Sequence, residues 1–280
     1  MLRRLIRDVI ANIGLAEPAY RVFGLVSRTN PLIVYRNAKY RARLKPRHAP
    51  IPPPELRFLI AGSTDIQWFL ESGAATARCI ADALQADGSD VNRVGALLDF
   101  GCGCGRVTRN WETLTQTVIH GTDYNPRLID WCRENISFAS FATNSTEPPL
   151  RYGDAQFGLV YAISVFTHLT ENLQGRWMTE LLRVTRPGGY LIITTHGEHY
   201  LPRLSASQRR RFSDGQLVVK NDLKAPGKNT CSAYHPFEYV RRELASNVKI
   251  VNFVPSGAIG VPKQDLYVLK KADHKRGPEN

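Results

Sequence analysis

The chain has 280 residues, 43% of them hydrophobic, and a formal net charge of +12. That length allows one large domain or two small ones, with enough apolar side chains to bury a real core. No apolar run approaches the ~20 residues that cross a bilayer as a helix, and Arg7, Asp8 and Asn12 break the first apolar stretch, which argues against a secretory signal. Cys79, Cys102, Cys104, Cys132 and Cys231 are odd in number and irregular in spacing, so they read as reduced thiols of a cytoplasmic protein. Cys102 and Cys104 sit too close together for ordinary zinc-ligand spacing, and no metal site is expected.

The charge is concentrated at one end. Residues 1–48 hold eleven Lys or Arg against Asp8 and Glu17, a net +9 of the total +12. Leu2, Leu5, Ile6, Val9, Ile10 and Ile13 recur there at helical spacing with Arg3, Arg4 and Arg7 between them, which predicts a basic, partly helical arm. His48 to Pro54 contains four prolines and reads as a stiff linker. The organisation expected is an extension and linker over 1–54, a domain over 55–273 and a tail over 274–280.

Within the domain, a helix is expected over Asp65–Ala86. Strands are expected at Ala96–Phe100, Val118–Thr122, Phe138–Thr143, Leu159–Ser164 and Tyr190–Thr195. Helices should lie between them from about Arg106, over Arg127–Asn135 and over Glu171–Thr185, the last stopped by Pro187-Gly188-Gly189. A polar, basic segment over 198–233 interrupts the rhythm, with a hairpin turn expected at Asp214-Gly215. A helix over about Pro236–Ala245 and strands at Lys249–Val254 and Asp265–Lys270 complete the chain. Strands alternating with helices specify an α/β class with a parallel sheet covered on both faces.

The most informative stretch is Leu97-Leu-Asp-Phe-Gly-Cys-Gly-Cys-Gly105, a buried strand running into a glycine-rich turn. Glycines there let the backbone approach a ligand closely. Asp123 follows at the end of the next strand, where a carboxylate accepts hydrogen bonds from both hydroxyls of a ribose. Dinucleotide oxidoreductases place Gly-x-Gly-x-x-Gly at this turn, but Arg106 stands where that pattern requires its third glycine. Asp99 would repel a pyrophosphate, whereas it suits a ligand bearing an ammonium and a sulfonium. The contrast favours S-adenosylmethionine over a nicotinamide dinucleotide.

These segments resemble the class I S-adenosylmethionine-dependent methyltransferases. Asp99-x-Gly-x-Gly-x-Gly105 is similar to their first motif and Asp123-Tyr-Asn125 to their ribose motif. Ser164-Val-Phe-Thr-His-Leu169 resembles the segment after the fourth strand, and Arg186-Pro-Gly-Gly189 the turn before the fifth. The resemblance implies a Rossmann-like sheet of seven strands, the last antiparallel. It implies that Asp99, Gly101, Cys102, Gly103 and Gly105 hold the methionine end of the donor. Asp123 and Asn125 would serve the ribose, Tyr124 and Asn144 the adenine, and Ser164 and Val165 would close the crevice from the fourth strand. Two departures stand out: Phe157-Gly158 where the family often has Phe-Asp, and Asn144-Ser145 where an acidic residue commonly meets the adenine amino group.

His168 and His196 follow strand ends on the ligand side and are the candidate general bases, with His196 favoured because Thr194-Thr-His-Gly-Glu-His-Tyr200 is dense in polar groups. Tyr234-His235 and Gln264-Asp265 are further polar clusters, which helix capping and turns explain nearly as well. The expected acceptor is a small molecule, a sugar or a lipid-linked saccharide methylated at oxygen, with 198–233 as a cover. An RNA methyltransferase is the alternative that the basic arm suggests. It ranks lower because no Asn/Asp-Pro-Pro-aromatic signature follows the fourth strand. A non-catalytic partner subunit that binds the donor is a further alternative. The arm over 1–48 reads as packing on the domain or a second subunit, as a peripheral contact with the inner face of a membrane, or as an RNA-docking arm.

Overall fold

The computed structural model describes residues 30–44, 49–221, 231–261 and 263–273. The amphipathic pattern of residues 2–13 and the tail from 274 lie outside the described residues.

Helix α1 (Pro31–Arg41) is started by Asn30, whose side chain accepts from Leu32 N. A helix that sequence reading passed over, α2 (Pro54–Ala61), follows the prolines and ends on Gly62 in the left-handed conformation. The proline at its first position is already shaped for a helix, so the stiff segment is the helix's own start. Helix α3 (Ile66–Gln85) lies within the expected Asp65–Ala86 and is capped by Asp65, whose side chain accepts from Trp68 N.

The central sheet has seven strands. They are β1 (Ala96–Phe100), β2 (Val118–Asp123), β3 (Ser140–Thr143), β4 (Phe157–Ala162), β5 (Thr185–Thr195), β8 (Lys249–Ala258) and β9 (Gln264–Lys270), in the order β3-β2-β1-β4-β5-β9-β8. β1 to β5 pair in parallel, and β9 runs antiparallel to both neighbours. This is the expected Rossmann-like sheet with its last strand reversed. Alternate residues of β1 and β4 feed two cores. Leu98, Val160 and Ala162 face α5 (Glu171–Val184), while Leu97, Leu159 and Tyr161 face α3. Helix α4 (Pro126–Asn135) packs beside β2 and β3.

Three local expectations fail for identifiable reasons. The helix expected from Arg106 is a single 3₁₀ turn over Thr108–Trp111. The Asn110 side chain donates to the carbonyls of Arg106 and Val107, 3.1 Å each, competing for the acceptors that a continuing helix needs. Pro187-Gly188-Gly189 lies inside β5, because α5 has already ended at Val184. Asp214-Gly215 terminates helix α6 (Ala206–Ser213) instead of turning a hairpin. Gln216 N reaches back to Arg211 O and Gly215 N to Phe212 O, while Ser205 and Gln208 form a capping box at the other end. The antiparallel pair in the insertion is β6 (Val218–Asn221) with β7 (Cys231–Tyr234). Tyr200, Leu204, Phe212, Val218 and Tyr234 give the insertion its own small core. Helix α7 (Phe237–Tyr239) continues as a π turn to Leu244.

One departure from the resembled family pattern has a local reason. A Cβ at Gly158 would stand 2.0 Å from the Val94 carbonyl, so no side chain fits there.

Candidate functional site

At the C-terminal ends of β1 and β2 the backbone turns under left-handed angles, φ +78° at Gly101 and +57° at Gly103. Both angles are strained for any residue with a Cβ. The N–H groups of Gly101 and Cys102 donate to Thr122 O at 2.8 and 3.0 Å, which fastens the turn to β2. A Cβ on Gly101 would meet Val165 Cγ2 at 2.5 Å, and one on Gly103 would meet Ile60 Cγ2 at 2.7 Å. The turn is thus bordered by the segment after β4 on one side and by α2 on the other. Gly105 completes it with φ +73°. All five cysteines are free and buried.

Two buried carboxylates flank this turn. Asp99 Oδ2 accepts from Thr108 Oγ1 at 2.6 Å. Tyr161 bonds to the same carboxylate, its own oxygen accepting from Trp111 Nε1 at 2.8 Å. Burial raises the Asp99 carboxyl to about 6, against those hydrogen bonds and the nearby Arg106 charge. Asp123 Oδ2 accepts from Gly103 N at 3.0 Å and Oδ1 from Asn125 N at 2.9 Å. Burial raises this carboxyl too, while the two backbone donors oppose the shift. Each Asp123 oxygen keeps acceptor capacity for one more donor, which is what two ribose hydroxyls supply. A donor bearing ammonium and sulfonium charge would favour the ionised form of Asp99. The glycine cradle and the two carboxylates therefore fit the methionine and ribose parts of S-adenosylmethionine.

The other expected donor-site residues are placed as follows. Tyr124 is 37% exposed just beyond β2. The Asn125 side chain caps α4 by accepting from Arg127 N. Asn144 Oδ1 accepts from Thr122 Oγ1 at 2.7 Å, and its amide donates to Ser145 O. Thr122, Asn144, Ser145, Leu150 and Tyr152 help line a cavity of about 340 Å³ at the ends of β2 and β3. Ser164 adopts φ +61°. Its Oγ donates to Gln264 Oε1 at 3.0 Å and its N–H to Thr194 Oγ1 at 2.8 Å, tying the β4 exit to β5 and β9.

The two candidate bases come together through the insertion. His168 Nδ1 lies 2.7 Å from Cys231 O and His196 Nδ1 lies 3.2 Å from Ala233 O, both on β7. A carbonyl only accepts, so each Nδ1 carries the proton and each neutral ring keeps its lone pair on Nε2. Neither Nε2 has a hydrogen-bond partner among the described residues. Burial lowers His168, with the Cys231 carbonyl opposing. Burial, with His168 and Arg203 adding repulsion, lowers His196 to about 3. The His168–His196 repulsion is shared by both rings, and the Arg203 charge is the further influence that falls on His196. Tyr200 and Tyr234 pack on the His196 ring at centroid distances of 4.2 and 5.5 Å.

The remaining polar clusters are structural in part. His235 Nε2 donates to Gln174 Oε1 at 2.9 Å, and Gln174 Nε2 donates to Leu169 O. Gln264 receives Ser164 and Thr194, and Asp265 accepts from Ser256 N. Sequence reading missed Thr108, Tyr161, Ile60 and the β7 carbonyls. No spacing rule marks the first three, and a carbonyl has no residue identity to read.

Residues 98–193 match the model of a methyltransferase domain family. The chain is 28% identical over 185 residues to a malonyl-[acyl-carrier protein] O-methyltransferase of Serratia marcescens, covering 65% of this chain and 67% of that one. Against the enzyme of the same name from Enterobacter lignolyticus it is 30% identical over 129 residues, spanning about half of each, 46% and 49%. In fold it is similar to human N-acetylserotonin methyltransferase, with a TM-score of 0.51 at 16% identity over 88% of this chain and 68% of that one. Residues 98–193 therefore carry a methyltransferase domain, with the four motifs in order on a Rossmann-like seven-stranded sheet whose β9 is reversed, as in S-adenosylmethionine-dependent methyltransferases.

Proposed function

We propose that the chain methylates an oxygen of a small acceptor held between the β4 exit, the β5 exit and the insertion over 198–233. The observation that carries this reading is the pair of neutral imidazoles fixed by alternate carbonyls of β7, each with its Nε2 lone pair uncommitted among the described residues. When bound, S-adenosylmethionine supplies a methyl group on a sulfonium, an electrophile that needs in-line placement of the acceptor more than covalent help. Asp123 holds the ribose hydroxyls, and Asp99 with Gly101, Cys102, Gly103 and Gly105 holds the methionine end. Tyr124 and Asn144 border the adenine, and Ser164 and Val165 close the crevice beside the turn. His168 Nε2 accepts the acceptor's hydroxyl proton, and His196 orients the same hydroxyl by accepting a hydrogen bond.

A second reading has its own support. The relatives named malonyl-[acyl-carrier protein] O-methyltransferase suggest a carboxylate acceptor delivered on a carrier protein. A carboxylate needs no base, but it does need cations. Arg203 stands over the Tyr200 ring at 4.6 Å and Lys220 over the Tyr234 ring at 5.6 Å, beside His196. One assay separates the readings. Transfer of labelled methyl from S-adenosylmethionine is measured to a panel of alcohols, phenols, sugars and malonyl thioesters, by wild type and His168→Ala. Methylation of hydroxyl acceptors that collapses in His168→Ala supports the first reading. Methylation confined to malonyl thioesters and indifferent to His168 supports the second. Transfer only to nitrogen or to RNA would contradict both.

A further inference from the structure

We propose that the outward face of α1 seats on an anionic bilayer surface, giving the enzyme a peripheral foothold. This inference rests on α1 itself and is independent of the acceptor's identity.

Helix α1 has two faces of different kind. Its inner stripe is Ile33, Asn37 and Tyr40, all half-buried at helical spacing. Asn37 Oδ1 accepts from Ile66 N at 2.8 Å while its amide donates to Thr64 O at 3.0 Å. Tyr40 bonds to Glu71, and Arg36 pairs with Asp65 at 2.9 Å. These bonds hold α1 rigidly against the start of α3. The outer face carries Leu32, Tyr35 and Val34, exposed by 74%, 64% and 51%. Ala38 and Ala42 continue it, and Lys39, Arg41 and Arg43 stand exposed beside it. Residues 30–44 contain no acidic side chain. Aliphatic and aromatic side chains stand among cations on a helix whose other face is already satisfied, so charge supplies most of what this face offers a lipid surface. The apolar residues enter the headgroup region and the cations meet lipid phosphates.

Charge selects this occupant over others. A two-fold pairing of two copies through this face would set Lys39, Arg41 and Arg43 of each copy against their like. RNA would engage Lys39, Arg41 and Arg43, but it gives Leu32 and Val34 nothing to bury against. Residues 1–29 add five more basic residues against two acidic ones, in the same sense. The location is also informative. Only Ala61, Gly62 and Ser63 separate Thr64, which α1 grips, from Ile60, which meets the Gly103 turn. Helix α1 is therefore tied to the same short segment that borders the glycine turn.

The test is vesicle flotation of the full chain. Vesicles of phosphatidylcholine alone are compared with phosphatidylcholine containing roughly one-third phosphatidylglycerol, at low and high salt. Two double variants, Leu32→Asp with Tyr35→Asp and Lys39→Glu with Arg43→Glu, alter only outward side chains, and an unchanged melting temperature confirms their fold. Wild type should float with anionic vesicles and be released by salt, and each double variant should bind about five-fold less or weaker still. Absence of flotation, equal flotation with neutral vesicles, or variants that float like wild type would overturn the proposal. So would a dimer, or a complex with RNA, that is lost in the Lys39→Glu/Arg43→Glu protein while vesicles are ignored.

Discussion

The two halves of the crevice are built by different means. On the donor side, β1 and β2 deliver two carboxylates and a glycine turn within one strand–turn–strand stretch, so the site is local in sequence. Gly103 N donates directly to Asp123, and Asp99 is held by Thr108 from the same stretch. On the acceptor side, His168 and His196 come from different strand exits and owe their tautomers to a strand more than thirty residues further on, β7. One half can be built from a local motif, whereas the other needs elements far apart in the chain.

The largest expected effect breaks the donor half. Gly101→Val forces a β-branched residue into φ +78° and drives its Cβ to 2.5 Å from Val165 Cγ2. Donor affinity should fall by about a hundredfold, with a loss of stability of about 1–3 kcal/mol from the strained backbone. Titration calorimetry and thermal melting read the two effects separately. If the variant bound donor like wild type, the glycine cradle would have no role.

Next in size is the acceptor half. His168→Ala should lower turnover on a hydroxyl acceptor by about a hundredfold, and His196→Ala by about tenfold, with donor affinity unchanged in both. This order reverses the sequence expectation, which favoured His196. The Arg203 charge, which adds to burial in lowering His196, makes His196 the poorer base. Single-turnover rates with saturating donor check it, and a larger loss in His196→Ala would restore the original order.

How much was legible in the sequence follows the same division. The helix from Asp65, the glycine turn and Asp123 at the β2 end were readable because each rests on a local pattern, and the reversed last strand followed from the family resemblance. The histidines were readable as candidates but not as a pair. Their relation depends on β7, and the turn signal at Asp214-Gly215 pointed to the wrong hairpin. The Asn110 side chain, which replaces a helix by one 3₁₀ turn, and the Val94 carbonyl that demands Gly158 are contacts no periodicity reports.

A pH effect sharpens the donor half. The Asp99 carboxyl sits at about 6 in the folded chain, above the unfolded value of about 3.9. The folded state therefore holds this proton longer, and the stability associated with the protonated carboxyl is lost as pH rises from about 4 through about 6. Affinity for S-adenosylmethionine should move oppositely, tightening over the same window as the carboxylate forms. Titrations at the two ends of that window test this, and Asp99→Asn should flatten the profile. A wild-type affinity that is level across it would remove Asp99 from the donor site.

The smallest effect concerns Asn144, whose side chain is already engaged by Thr122 and Ser145. Asn144→Ala should weaken donor binding only about two- to fivefold, the worth of one neutral hydrogen bond, and should leave acceptor selectivity alone. A larger loss would mean that the side chain turns toward the adenine when donor binds.

The most direct test of the donor site is calorimetric titration of S-adenosylhomocysteine into wild type, Asp123→Asn and Asp123→Ala. Asp123 anchors the turn through Gly103 N and offers its remaining acceptor capacity to the ribose. The expected result is binding by wild type and a loss of about 2–4 kcal/mol in Asp123→Ala, with Asp123→Asn in between. Equal affinity in all three proteins would contradict the assignment of this crevice to the donor.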